Sequence, residues 1–215
     1  MSRKKKRKFD ELKGFQNVFE WKDQDFKDLV KGIFNESNAV ILELACGKGD
    51  YAVYLGKRYP KKLVVGIDIQ GERIWSGAKR AMDEDLDNVL FLRLQIENLS
   101  SVIPKGSVNE IWITFPDPFP RDRDSKRRLT SPRFLRMYKK LLKSGGSIHL
   151  KTDSEDLYEY TLDIVKEEGF RVEVEVEDVY LEGLSVESEV NEVQTTFEKK
   201  HLEEGKTIRY LRVSL

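Results

Sequence analysis

The sequence predicts one α/β domain built on a mostly parallel sheet of seven strands, with helices on both faces and one late antiparallel strand. Three observations carry that expectation. Short apolar runs alternate with amphipathic stretches up to about residue 150, the rhythm of a parallel sheet covered on both sides. The first run, Val40-Ile41-Leu42-Glu43-Leu44, opens into Gly47-Lys48-Gly49, a tight turn leading into a helix. Beyond Gly169 the pattern shifts to period two, and the last strand-like run has no helical pattern beside it.

Taken in order, strands are expected at 39–44, 63–69, 89–94, 110–115 and 147–152, separated by amphipathic stretches such as 50–58, 72–82 and 132–143. Ser144, Gly145 and Gly146 are expected to end the basic helix and turn the chain into the next strand. The alternating run 171–176 suits a half-exposed strand, and 207–213 supplies the last one. Residues 1–20 have the look of a flexible basic arm, which leaves 21–215 as a single domain.

Composition narrows the function. The single Cys46 excludes an internal disulfide, and with only His149 and His201 beside it no structural zinc cluster is expected. No apolar run approaches the ~20 residues a membrane span needs, and no apolar segment follows the basic start, so no secretory signal is expected. A reducing cytoplasm is the expected compartment, and monomer and homodimer are both compatible with the sequence. The 38 basic and 38 acidic residues cancel, yet they are segregated. Residues 1–8 hold six cations, 121–143 hold ten against two acids, and 153–204 hold four against eighteen. Concentrated cations in a neutral chain suit a polyanionic partner.

The glycine turn implies a small-molecule site. Gly47 and Gly49 let backbone approach a ligand, and the following helix directs free N–H groups at it. Asp68 ends the second strand, where a carboxylate can accept both hydroxyls of a ribose, and Gln95 ends the third, where an amide suits an adenine edge. Gly47-x-Gly49-x-x-Ala52 also satisfies a dinucleotide fingerprint. Glu43 weighs against that reading: a carboxylate beside the turn repels a pyrophosphate and attracts a cationic ligand such as S-adenosylmethionine.

Pro116-Asp117-Pro118-Phe119-Pro120 ends the fourth strand as a stiff loop with an acid held between two prolines and an aromatic face for a base. Arg121, Arg123, Lys126, Arg127 and Arg128 follow directly. An acceptor for a base edge beside cations for phosphates outlines a nucleic-acid methylation site. His149 and His201 are poor catalytic candidates, and Cys46 lacks a nearby histidine in sequence.

These residues resemble the signature of the TrmB family of bacterial tRNA (guanine-N7)-methyltransferases, which typically reads PDPWPKKRHxKRRL here. Lys151-Thr152-Asp153 and Thr195-Thr196-Phe197-Glu198 match further family motifs in order, and the resemblance spans roughly 35–213. It implies a class I S-adenosylmethionine-dependent methyltransferase (Rossmann-like) fold acting on a guanine N7 in the tRNA variable loop. By the same resemblance Glu43, Asp68, Gln95 and Asp117 would line the cofactor pocket. Arg121, Asp153 and Thr195, Thr196, Phe197 and Glu198 would meet the tRNA or its target guanine, and 123–128 would contact RNA. Asp117 is also the expected catalytic residue: it or Asp153 would stabilise the positive ring that methylation leaves, unless Asp153 instead grips the guanine's N1–H and amine. The chain departs from the family pattern at Ala45, where a glycine is usual, at Gln95, Phe119, Asp122 and Asp124. Thr195 to Lys200 has a second reading, as the capped start of a helix. The rivals are a methyltransferase for another substrate, an RNA-binding module without catalysis, and a nicotinamide oxidoreductase.

Overall fold

A computed structural model of the chain describes residues 3–181 and 188–215, the side chains of 3–5 and 188 excepted. The first half holds α1 (Arg3–Leu12), β1 (Val18–Glu20), α2 (Phe26–Glu36), β2 (Val40–Leu44), α3 (Asp50–Arg58), β3 (Leu63–Asp68), α4 (Gly71–Asp83) and β4 (Val89–Arg93). Then come β5 (Val108–Thr114), α5 (Pro132–Leu141), β6 (Leu142–Thr152), α6 (Glu155–Glu167), β7 (Arg171–Val176), α7 (Ser188–Glu192), α8 (Thr196–Glu203) and β8 (Arg209–Ser214).

Among the described residues eight strands form one sheet in the order β1-β4-β3-β2-β5-β6-β8-β7. Every pairing is parallel except those of β8, which runs antiparallel to both neighbours. The seven expected strands are present, β8 is the late antiparallel one, and β1 is an eighth at the edge. Side chains alternate across the sheet. Val40, Leu42 and Leu44 pack in one core with Phe34 of α2, Leu135 of α5 and Val165 of α6. Ile41 packs in the other, with Leu12 of α1, Ala52 of α3 and Ile74 of α4. Helices therefore cover both faces.

Two expectations need correction. Residues 1–20 are not simply an unstructured arm. Leu12 is buried, Phe9 lies against Gly71 with the Arg93 guanidinium 4.8 Å over its ring, and Trp75 donates to Glu11 at 2.8 Å. Residues 18–20 then pair with β4. The charge run hid these few apolar anchors. The helix over 132–143 ends instead at Leu141, because Leu142 already pairs with Val108. Ser144, Gly145 and Gly146 fall inside β6, across a register shift.

The strand order reverses between β2 and β5. Loops leaving these two adjacent strands diverge, opening a crevice at the carboxyl ends, where open α/β sheets bind ligands.

Candidate active site

The crevice is a cleft of about 360 Å³, within the ~300–1,000 Å³ usual for small-molecule sites. Ala45 after β2, Asp68 at the end of β3 and Gln95 after β4 stand on its walls, with Phe115, Asp117 and Phe119 from the loop after β5. Four predicted site residues, Asp68, Gln95, Asp117 and Arg127, thus meet in one place. Ile69, Arg73 and Phe134 complete the walls without any sequence motif having marked them.

Asp68 knits the cofactor side together. Its Oδ2 accepts from the Gly47 N–H at 2.9 Å and its Oδ1 from the Gln70 N–H at 2.8 Å. Gly47 and Gly49 are not among the walls of this cleft, and both have a backbone reason to be glycine. Both have left-handed backbone, φ 55° and 67°, and a Cβ on Gly49 would meet the Phe91 ring at 2.6 Å. Ala45 also has left-handed backbone, φ 54°, which explains why glycine suits that position. Ala45→Gly is expected to stabilise the fold by about 0.5–1 kcal/mol, because the left-handed strain of an L-residue outweighs glycine's extra entropy cost. A thermal melt should show a Tm about 1–3 °C higher for a chain of this size.

Glu43 does not face the cleft. Strand alternation puts it on the same side as Ile41, so its carboxyl reaches the start of α3, accepting from the Ala52 N–H at 2.8 Å and the Thr114 hydroxyl at 3.4 Å. It is 1% exposed. Burial pushes its pKa up to about 8 from the ordinary 4.5, with Asp50 and Asp68 adding to the rise and the Ala52 N–H opposing it. The folded chain therefore keeps a proton that the unfolded chain releases, so this contribution to stability is full below 4.5 and is lost as pH rises through about 8. Glu43→Gln should flatten the fall in Tm across that window in melts at stepped pH. A Tm that falls as steeply in the variant contradicts this.

The proline loop is clamped from below. Arg128, expected to touch RNA, is 5% exposed. Its Nε donates to the Pro118 carbonyl at 3.1 Å and its Nη2 to the Phe119 carbonyl at 3.1 Å, while the guanidinium lies 4.3 Å over the Tyr160 ring. A residue spent on holding a loop that contains Phe119 at φ 43° is structural. Asp117 is exposed at the loop's tip. Arg127 lies 4.3 Å over Phe119, so one face of the predicted stacking ring already carries a cation.

The excess of cations at 121–143 does not become one cationic surface. Arg133 pairs with Glu97, Arg136 with Glu168, and Lys139 donates to the Glu168 carbonyl. These partners are distant in sequence, so the local count overstated the field. Outward-facing cations remain at Lys140 of α5 and at Arg121, Arg123, Lys126 and Arg127, the last four around the 3-10 turn beside the cleft, with Arg127 3.6 Å from Asp124.

The end of β6 brings the last predicted group near the cleft. Asp153 is half-buried and meets Lys206 and His201, each at 3.1 Å. His201 is edge-on to Phe115 of the cleft wall at 6.0 Å. Thr195 and Glu198 form a capping box at the start of α8, so the helix-cap reading holds for both. Glu198 is 0% exposed and paired with Lys151, which places it out of reach of RNA, whereas Thr196 and Phe197 are exposed. His149 is stacked on Trp112 at 4.0 Å and bonded to Tyr210 and Ser147. Burial, then Arg212 and Lys62, lowers its pKa to about 3, so it stays neutral within the core.

Comparison with known proteins decides between the rivals. A family model described as putative methyltransferase matches residues 37–211. A protein of Christiangramia forsetii named tRNA (guanine-N(7)-)-methyltransferase is 42% identical over 100% of this chain and 99% of its own length. The chain belongs to the tRNA (guanine-N7)-methyltransferase family. A second relative of the same name, from Porphyromonas gingivalis, is 47% identical over 85% of this chain and 73% of its own. Solved structures agree on the class I methyltransferase fold. A 16S rRNA methyltransferase superposes with a TM-score of 0.65 at 16% identity, covering 90% of this chain and 94% of that one. An S-adenosylmethionine-dependent methyltransferase from Aquifex aeolicus gives 0.57 at 17% identity, covering 95% and 97%. Membership in the tRNA (guanine-N7)-methyltransferase family sets the nicotinamide reading aside; Glu43, facing α3, does not. Among the described residues no helix is long and apolar enough to cross a membrane, and no cluster of metal-ligating side chains is found.

Proposed function

We propose that the chain transfers the methyl group of S-adenosylmethionine to N7 of a guanine in the tRNA variable loop, in the cytoplasm. The observation that carries the reading is one juxtaposition. A cleft walled by Asp68, Gln95 and Asp117 opens beside the exposed cations of 121–127. The cleft fits the cofactor. Each Asp68 oxygen accepts one backbone N–H and has acceptor capacity left for a ribose hydroxyl. Gln95 offers an amide to adenine, and Leu94, Ile96 and Phe134 give the base apolar walls. When bound, the cofactor supplies an electrophilic methyl group on a positive sulfur.

Guanine N7 carries a lone pair and no proton, so no residue needs to act as a general base. Transfer is then an in-line displacement in which the chain contributes alignment and a favourable field. Asp117, exposed on a stiff loop, would stabilise the charge developing on the guanine. Asp153 already pairs with Lys206, which suits it to gripping the base rather than to balancing new charge. Arg121, Arg123, Lys126 and Arg127 would take phosphates, and Phe197, 55% exposed, offers a face for a base. The test is methyl incorporation from labelled cofactor into unmodified tRNA, against an equal mass of DNA duplex. Equal labelling of both, or none, sinks the assignment.

A further inference from the structure

Two sequence motifs, Lys151-Thr152-Asp153 and Thr195-Thr196-Phe197-Glu198, meet through their most deeply buried members. Lys151 and Glu198 are both 0% exposed, and the ammonium group pairs with the carboxylate. Lys151 stands on the α3 face of β6, the same face as His149 two residues before. Its Nζ also donates to the Tyr51 hydroxyl at 3.0 Å, the Val190 carbonyl at 2.5 Å and the Val193 carbonyl at 3.3 Å. On the other side, the Tyr180 hydroxyl donates to Glu198 Oε1 at 2.7 Å, and Oε2 accepts from the Thr195 N–H at 3.4 Å.

A buried ion pair adds little net stability, because desolvation of both charges offsets their attraction. What this one supplies is geometry. One ammonium group holds two carbonyls of the α7 segment and the carboxylate that caps α8, all against the end of β6. Two residues on, Asp153 bonds Lys206, just past α8, and its Oδ2 stands 3.1 Å from His201 Nδ1 of α8, so the end of β6 meets that helix at a second place. Phe115 of the cleft wall meets the same helix.

We propose that Lys151 is the positioning residue for RNA. It fixes α7 and α8 over the end of β6, so that Thr196, Phe197 and Asp153 form one surface beside the cleft. Glu198 is its counter-ion and not an RNA contact. The inference rests on the reading that the chain methylates tRNA.

The test compares Lys151→Met with Lys151→Met/Glu198→Met, following cofactor affinity, Tm, and kcat and KM for tRNA. Lys151→Met should keep cofactor Kd within about twofold and raise the KM for tRNA by about tenfold or more, as displaced binding groups do. Its Tm should fall, because Glu198 is left buried without a counter-ion. The double variant should regain much of that Tm while its KM stays high. A KM that returns together with Tm, or that never rises, overturns the proposal. Should neither variant bind cofactor, Tyr180→Phe removes only one hydroxyl from Glu198. A raised KM with unchanged cofactor Kd then supports the role, and an unchanged KM overturns it. A wild-type chain that methylates no tRNA sinks the activity instead, and filter retention of tRNA by the same variants still reports on Lys151.

Discussion

Asp117→Ala is expected to lower methyl transfer to tRNA by about 10²–10³-fold, the usual cost of removing one group aimed at developing charge. Cofactor affinity should change by no more than a few-fold. The asymmetry follows from the loop. Asp117 is exposed at the tip of a segment stiffened by Pro116, Pro118 and Pro120 and clamped by Arg128, so losing its carboxylate leaves the scaffold in place. Asp68, by contrast, is buried and tied to two backbone N–H groups. Single-turnover transfer and equilibrium cofactor binding, measured on one preparation, separate the roles. Equal losses in both would make Asp117 a cofactor residue.

The second large effect is electrostatic. Replacing Arg121, Arg123 and Lys126 together by Gln should lower the slope of log K against log salt for tRNA by about 2–3, since each phosphate contact contributes ~0.7–0.9. The same exchange at Arg133 and Arg136 should leave the slope nearly unchanged, because Glu97 and Glu168 already pair with those cations. Filter binding across a salt series reads both. A large slope change from the α5 set would mean that its ion pairs open on RNA.

How much of this was legible in the sequence depends on the range of the interaction. Strand positions followed from local apolar runs, whereas the switch point needed the spatial order of the strands, which the sequence does not state. Three of the cleft's polar groups, Asp68, Gln95 and Asp117, were legible because each stands at the end of a strand or within three residues past it. The burial of Glu43 against the start of α3 had a signal in the sequence that went unused: period two puts it on the side of Ile41, facing a helix. Arg128 gave no such signal, since its hydrogen bonds reach back ten and nine residues to carbonyls of an irregular loop. Charge counting at 121–143 failed for the reason local counts do, because the neutralising acids come from elsewhere in the chain. The α1 helix was hidden by its cations, since its anchors Phe9 and Leu12 are few and their partners are on α4.

The proposed activity is methylation of one particular nitrogen in one particular region of tRNA. Unmodified tRNA, incubated with the protein and S-adenosylmethionine, is treated with borohydride and then aniline, which breaks the strand at N7-methylguanine. Scission at a single variable-loop guanine, lost when Asp117 is replaced by Ala, is the predicted result. Methyl incorporation without scission, or scission spread over many guanines, would contradict it.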